Sequence, residues 1–199
     1  MSSRIGHVVA EHQLVRLTRE RLGEWLPHVL VQVADATGVD RDRVPLPASW
    51  LRVTDWRELP EGQSPTVVVA SPGLEGEPQR HGQRWSASVL VNVLAVVRGH
   101  DYDLTGELAS VYGAAITATL VQRPPDAPWL RGFRWVGRER DALPAADQRT
   151  VQGALVRFRA DVDSVIAEPL PLTEPTPDPY DEPTTWPPAS PVTAEVHPR

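Results

Sequence analysis

The chain has 199 residues, enough for one domain with a real core and too few for two large ones. It contains no cysteine, which excludes disulfides, zinc–thiolate centres and thiol catalysis. Its formal charge of −6 is uneven: from Glu168 onward six acids and one base give −5, leaving −1 for everything before, so neither part is built to grip phosphates, which need Lys and Arg.

The hydrophobic share, 41%, is slightly low for a globular domain, and the 21 prolines are about twice the usual number. Roughly half of those prolines follow Glu168, so the shortage of core formers belongs to the C-terminal end. No run of about 18 apolar residues offers a membrane span. The opening Met1-Ser-Ser-Arg-Ile-Gly-His7 lacks a signal-peptide core, and the expectation is a protein made in the cytoplasm.

From Val8 to Leu22 the apolar residues Val8, Leu14, Val15, Leu17 and Leu22 recur at helical spacing on a narrow stripe. Pro27 fits a first helical turn better than an interior, which predicts a second short helix over about His28–Ala36, stopped by Gly38. Its run Val29–Val33 reads equally as a strand. Val44–Pro47 is linker-like, Trp50–Trp56 reads as a short strand and Pro60–Pro65 as a loop. Thr66–Ala70 is a buried strand ended by Ser71-Pro-Gly73. Leu74–Arg84 connects to a long strand from Trp85 to Val97. There Trp85, Ala87, Val89, Val91 and Val93 share one face and Ser86, Ser88, Leu90 and Asn92 the other. Toward Val97 both faces turn apolar, which marks a central strand covered on both sides.

Asp103 reads as the N-cap of a helix over Leu104–Leu120. One face carries Leu104, Leu108, Val111, Tyr112, Ala115 and Thr119. A second stripe of Gly106, Ser110, Gly113, Ala114 and Ala118 implies close approach, to the sheet or to a neighbouring subunit, because glycine is otherwise costly in a helix. Pro124–Pro128 is a loop and Trp129–Glu139 a strand. The last strand alternates cleanly, with Ala154, Val156, Phe158, Ala160, Val162 and Ser164 on one side and Arg157, Arg159, Asp161 and Asp163 on the other. Beyond Ile166 the chain is rich in Pro, Thr and acids, with Trp186 as its one large anchor. A disordered, protease-sensitive extension is expected there.

The search for chemistry returns little. None of His7, His12, His28, His81, His100 and His197 pairs at the i, i+4 spacing of a helical zinc site. His100 with Asp101 and Asp103 is the best local cluster, and a strand-to-helix turn with a cap explains it. Ser71-Pro-Gly73 lacks the nucleophile-elbow frame, and Gly73-Leu-Glu-Gly76 lacks the spacing and Lys of a phosphate loop. Arg80 and Arg84 beside Trp85 read as a solvated hairpin loop with an interface tryptophan rather than a nucleic-acid contact. No catalytic residue, metal ligand or cofactor is expected.

Four segments have a familiar pattern: Pro65–Gly73, the Trp85 strand, Tyr102-Asp-Leu-Thr-Gly-Glu-Leu-Ala-Ser-Val-Tyr-Gly-Ala-Ala-Ile116, and Val151-Gln-Gly-Ala-Leu-Val-Arg-Phe-Arg-Ala-Asp-Val162. Over about residues 5–166 they resemble tail terminator proteins of long-tailed, siphovirus-type actinobacterial phages. The resemblance implies an α/β (α+β) fold with a mixed, mostly antiparallel sheet and helices on one face. That domain would cover residues 1–167, with the acidic Pro-rich extension at 168–199. It further implies a non-enzymatic virion protein that forms a homo-hexameric ring on the tail tube. Such a ring ends tube polymerisation, meets the head–tail connector or stopper, and lets genomic DNA pass without specific binding. The alternatives are another neck component, or a host small-molecule-binding or hydrolytic α/β domain. Ring closure needs one patch of each subunit to meet a different patch of the next. The candidate patches are Arg157, Arg159, Asp161 and Asp163 on one side, and Arg80, Arg84 and Trp85 of the Gln79–Trp85 loop on the other.

Overall fold

The computed structural model describes residues 7–51, 64–81, 84–99, 101–143 and 150–163. The expectations for Arg52–Trp56, the 60–63 loop, His100, Ser164 and everything beyond, including Trp186, lie outside them.

The chain opens with one helix, α1 (His7–Thr37), in place of the two expected on either side of Pro27. Its buried positions are Leu14, Thr18, Leu22, Leu26, Leu30 and Ala34, a strict four-residue repeat that continues straight past the proline. A proline ring presses on the carbonyl four residues earlier. Here that residue is Gly23, which faces open space. Complete burial of Leu22, Leu26 and Leu30 around the proline offsets the lost hydrogen bond, at about 1.5–3 kcal/mol per leucine. The stop at Gly38 is as expected. Gly38 takes φ +74°, its N–H donates to Asp35 O (3.3 Å), and Val39 N–H donates to Ala34 O (3.0 Å). That is a Schellman ending, and Val39 closes it by joining the core.

Among the described residues six strands make one sheet: β1 (Ser49–Leu51), β2 (Thr66–Leu74), β3 (Gln79–His81), β4 (Arg84–Gly99), β5 (Leu130–Leu143) and β6 (Thr150–Asp163). The order is β1-β2-β4-β6-β5, with β1 parallel to β2 and every other pairing antiparallel. The fold is therefore α+β with a mixed, mostly antiparallel sheet. Since β6 pairs with one side of β4, both β2 and β3 lie along the other side and form one interrupted lane.

Two local expectations need correction. Ser71-Pro-Gly73 does not end β2. It is a bulge, in which the register slips by one residue between Ala70 and Gly73. Gly73 adopts φ +116°, a conformation side chains rarely take, and its N–H donates to Ser71 Oγ (3.2 Å). The second correction concerns α2 (Tyr102–Gln122). Its N-cap is Asp101, whose Oδ1 accepts from the N–H groups of Asp103 (2.8 Å) and Leu104 (3.1 Å). Asp103 sits in the first turn instead. Both aspartates suit a helix N-terminus, and only the extended backbone of Asp101 (φ −103°, ψ 125°) decides between them.

Both helices cover the same face of the sheet. Val67 and Val69 of β2, Val89–Val97 at odd positions of β4, and Val156, Phe158, Ala160 and Val162 of β6 meet the helix residues in one core. Phe133 of β5 stacks on Phe158 with ring centres 5.0 Å apart. By length and composition alone α2 could cross a membrane, although it holds no unbroken run of about 18 apolar residues. It is instead a core helix, with Leu108, Val111, Tyr112, Ala115, Ile116 and Leu120 buried. Its small stripe meets the sheet: a Cβ on Gly113 would lie 3.1 Å from Ala154 Cβ, and Gly106 faces Gln152. On the helix-free face Val68, Val96 and Val151 form a small separate cluster, with Leu94 against it.

Candidate functional site

The four charged residues proposed on β6 do lie together on the helix-free face, at the end of the sheet away from Val151. The strand itself is not an edge. β4 flanks it on one side and β5 on the other, so its backbone is committed to the sheet. Its charges are also engaged within the chain. Arg157 pairs with Glu139 of β5 (2.9 Å), and Arg159 pairs with Glu75 just beyond β2. Asp161 accepts from Arg134 (2.9 Å) and from Ser88 Oγ (2.8 Å), and Asp163 pairs with Arg131 (2.8 Å). Four arginines and four carboxylates thus interleave across β5, β6 and the β2 end. Hydrogen bonding to Glu75 pushes the Arg159 pKa further up, so that guanidinium stays charged.

This arrangement fixes register more than it adds stability, since exposed pairs contribute roughly 0–1 kcal/mol each. Among the described residues of the same face, one buried polar side chain is engaged in neither a hydrogen bond nor an ion pair. Asn92 Oδ1, in register with Arg157, is buried without a hydrogen-bond partner.

Two residues of the second proposed patch, Arg80 and Trp85, sit at the same end of the sheet on the opposite face. Arg80 and Trp85 are register partners in the β3–β4 hairpin, and the Arg80 guanidinium lies 6.0 Å from the Trp85 ring centre. Trp85 packs against the core, and Arg84 opens β4 opposite His81. The hairpin expected around Arg80–Trp85 is present, with β3 an additional strand inside what read as a connection. The structure therefore separates Arg80 and Trp85 from the β6 charges by the thickness of the sheet.

A shallow depression of about 450 Å³ lies where the β2–β3 excursion overhangs the sheet, lined by Glu75, Glu77, Ser88, Arg131, Asp161 and Asp163. Three of its acids already hold arginines. Among the described residues no group of three or more His, Asp or Glu could hold a metal ion.

Five tryptophans lie among the described residues. Trp50, Trp85 and Trp129 pack against the core, and Trp25 carries the Arg123 guanidinium 4.8 Å from its ring centre. Trp135 is different: it is 51% exposed, and its neighbour Val136 is 49% exposed. Both sit at a bulge between Trp135 and Gly137 in β5, the last strand of the sheet. The sequence reading found that strand but missed its edge position. The one available signal was Val136-Gly137 interrupting the alternation begun by Phe133 and Trp135.

No family model matches the chain, and no curated protein matches it. Among solved structures, a chain from the virion of a native gene transfer agent particle aligns over 75% of this chain and 94% of its own length, with 14% identity and a TM-score of 0.47.

Proposed function

We propose that this chain is a structural virion protein, a tail terminator of a long-tailed phage. In this reading six copies form a ring on the tail tube, end its polymerisation and offer a surface to the head–tail connector. The observation that carries it is where the resembling segments fall. Pro65–Gly73 covers most of β2, the stretch from Trp85 to Val97 most of the central β4, Tyr102–Ile116 most of α2, and Val151–Val162 most of β6. Together with α1 and β5, these elements build the core and its paired face.

The internally neutralised charges of the helix-free face also suit a ring that DNA traverses. Arginines already paired with carboxylates have little to offer a phosphate backbone. The test is electron microscopy of assembly products after silencing this gene alone. Overlong tail tubes beside separate DNA-filled heads are expected. Tails of normal length with heads that leak DNA would assign the protein to the neck instead, and unchanged virions would refute a virion role.

A further inference from the structure

We infer that Glu75–Pro78, the link between β2 and β3, is a strap latched onto the sheet by the Glu75–Arg159 ion pair, and that this latch ties the charges of β6 to the Arg80–Trp85 hairpin. The partners stand 84 residues apart in the chain. They meet at two points: Arg159 Nη2 donates to Glu75 Oε1, and Arg159 Nε faces Glu75 Oε2. Nε and Oε2 are both sealed from solvent, and among the described residues neither has another hydrogen-bond partner. Each charge therefore depends on the other. The pair is also the best sheltered of its lattice. Its side chains are 33% and 36% exposed, while every other pair on this face has one partner at 60% or more.

Among the described residues little else holds this stretch. Regular pairing to β4 stops at Leu74 and resumes at Gln79. Between them one backbone bond, from Glu75 N–H to Ser88 O (2.8 Å), joins the link to the sheet. Gly76, Glu77 and Pro78 are exposed, and Pro78 has no N–H to give. Glycines stand on both sides of the latch. Gly73 (φ +116°) and Gly76 (φ +81°) adopt backbone conformations that side chains rarely take, and a Cβ at either would meet nothing within 4 Å. Their role is conformational rather than close packing. Beneath the strap lies the depression of about 450 Å³, with Ser88 and Asp161 in its wall, so no packed core replaces the latch when it opens.

Past Pro78 the strap runs directly into β3, three residues that pair only with β4 among the described residues. There Arg80 stands opposite Trp85 and over its ring. Loss of the pair at Arg159, on the helix-free face, is thus felt at Arg80 on the other face. Glu77 supplies an internal comparison, since among the described residues it makes neither a hydrogen bond nor an ion pair. The device belongs to the single subunit and stands whether or not a ring forms.

The test is hydrogen–deuterium exchange of the full chain, read as protection factors, for the wild type, Glu75→Ala, Arg159→Met, the double variant and Glu77→Ala. In both single variants the amides of residues 75–81 should lose protection by about threefold or more, with α2 unchanged. The double variant should lose no more than the larger single loss, because one latch breaks once, and Glu77→Ala should match the wild type. Unchanged protection over residues 75–81 in Glu75→Ala overturns the latch. An equal loss in α2 means that the pair steadies the whole domain and overturns its local role. A loss confined to residues 75–77, with β3 unchanged, overturns the tie to the hairpin. A loss in Glu77→Ala as large as in Glu75→Ala assigns the effect to strap composition and not to the pair. Should Arg159→Met fail to fold, Glu75→Ala against Glu77→Ala decides the question.

Discussion

Replacing Gly113 and Gly23 by alanine, one at a time, tests the helix packing directly, because the same chemical change should have opposite effects. Both glycines are inside helices, where alanine is favoured by about 0.8–1 kcal/mol. At Gly23 a new Cβ meets nothing within 4 Å, so the propensity gain stands alone. With about 2–4 °C in melting temperature per kcal/mol for a chain of this size, a rise of roughly 2–4 °C is expected. At Gly113 the new Cβ would lie 3.0 Å from Arg138 Cδ and 3.1 Å from Ala154 Cβ. The arginine can move, but Ala154 belongs to the middle of β6 and is 1% exposed. Overpacking a site of this kind costs about 1–3 kcal/mol, which exceeds the propensity gain. A net loss of roughly 0.5–2 kcal/mol, or a fall of about 1–8 °C, follows. The assay is thermal and urea unfolding of both variants, with Ala154→Gly added to Gly113→Ala as a double-mutant cycle. Favourable coupling between those two changes is expected. A Gly113→Ala variant as stable as Gly23→Ala, with no coupling to Ala154, would refute the close approach of α2 to β6.

Further substitutions probe the other corrections and the candidate patch. Pro27→Ala should stabilise α1 by about 1–3 kcal/mol in urea unfolding, because it restores an interior hydrogen bond and removes the clash with the Gly23 carbonyl. A loss would mean that the helix is not continuous there. Asp101→Ala should remove about 0.5–2 kcal/mol, and Asp103→Ala clearly less, since Asp101 makes the capping bonds. Equal losses would return the cap to Asp103. Arg157→Glu combined with Arg159→Glu sets carboxylates beside Glu139 and Glu75 and should lower monomer stability by roughly 1–2 kcal/mol while blocking ring assembly. An intact ring by native mass spectrometry would remove these residues from the assembly surface.

Much of the fold could be read from periodicity. The alternation in β4 and β6 gave both faces correctly, because a strand buried on one side forces its apolar residues to period two. Gly38 was legible as a helix stop because only a left-handed residue completes the Schellman bonds. The failures occurred where local preference was overridden. Pro27 looked like a boundary, but Leu22, Leu26 and Leu30 hold both halves of α1 to the core at once. Ser71-Pro-Gly73 has turn composition, yet pairing to β4 on both sides of the bulge draws it into the sheet.

The candidate surface was less legible for a related reason. Alternating Arg and Asp on β6 announces a charged face, but the sequence does not give strand order, and strand order decides whether that face is free. In the fold β6 is flanked on both sides, and each of its four charges finds a partner from a neighbouring lane or from the Glu75 excursion. A charge spent inside the subunit can orient a neighbour but cannot supply most of the binding, because separating it from its partner costs about as much as a new pair returns. In the proposed ring, affinity between subunits then has to come from unpaired backbone and exposed apolar area. β5 combines both, at Trp135 and Val136 and along the outer edge of Gly137–Leu143. The expectation for mutagenesis is a division of effects. Substitutions at Trp135 and Val136 should mainly speed ring dissociation, while charge removal at Arg131 and Arg134 should mainly slow association and flatten its dependence on salt. Stopped-flow mixing of dissociated subunits at two ionic strengths separates the two. Equal effects of both groups on dissociation would show that the charge lattice itself holds the ring together.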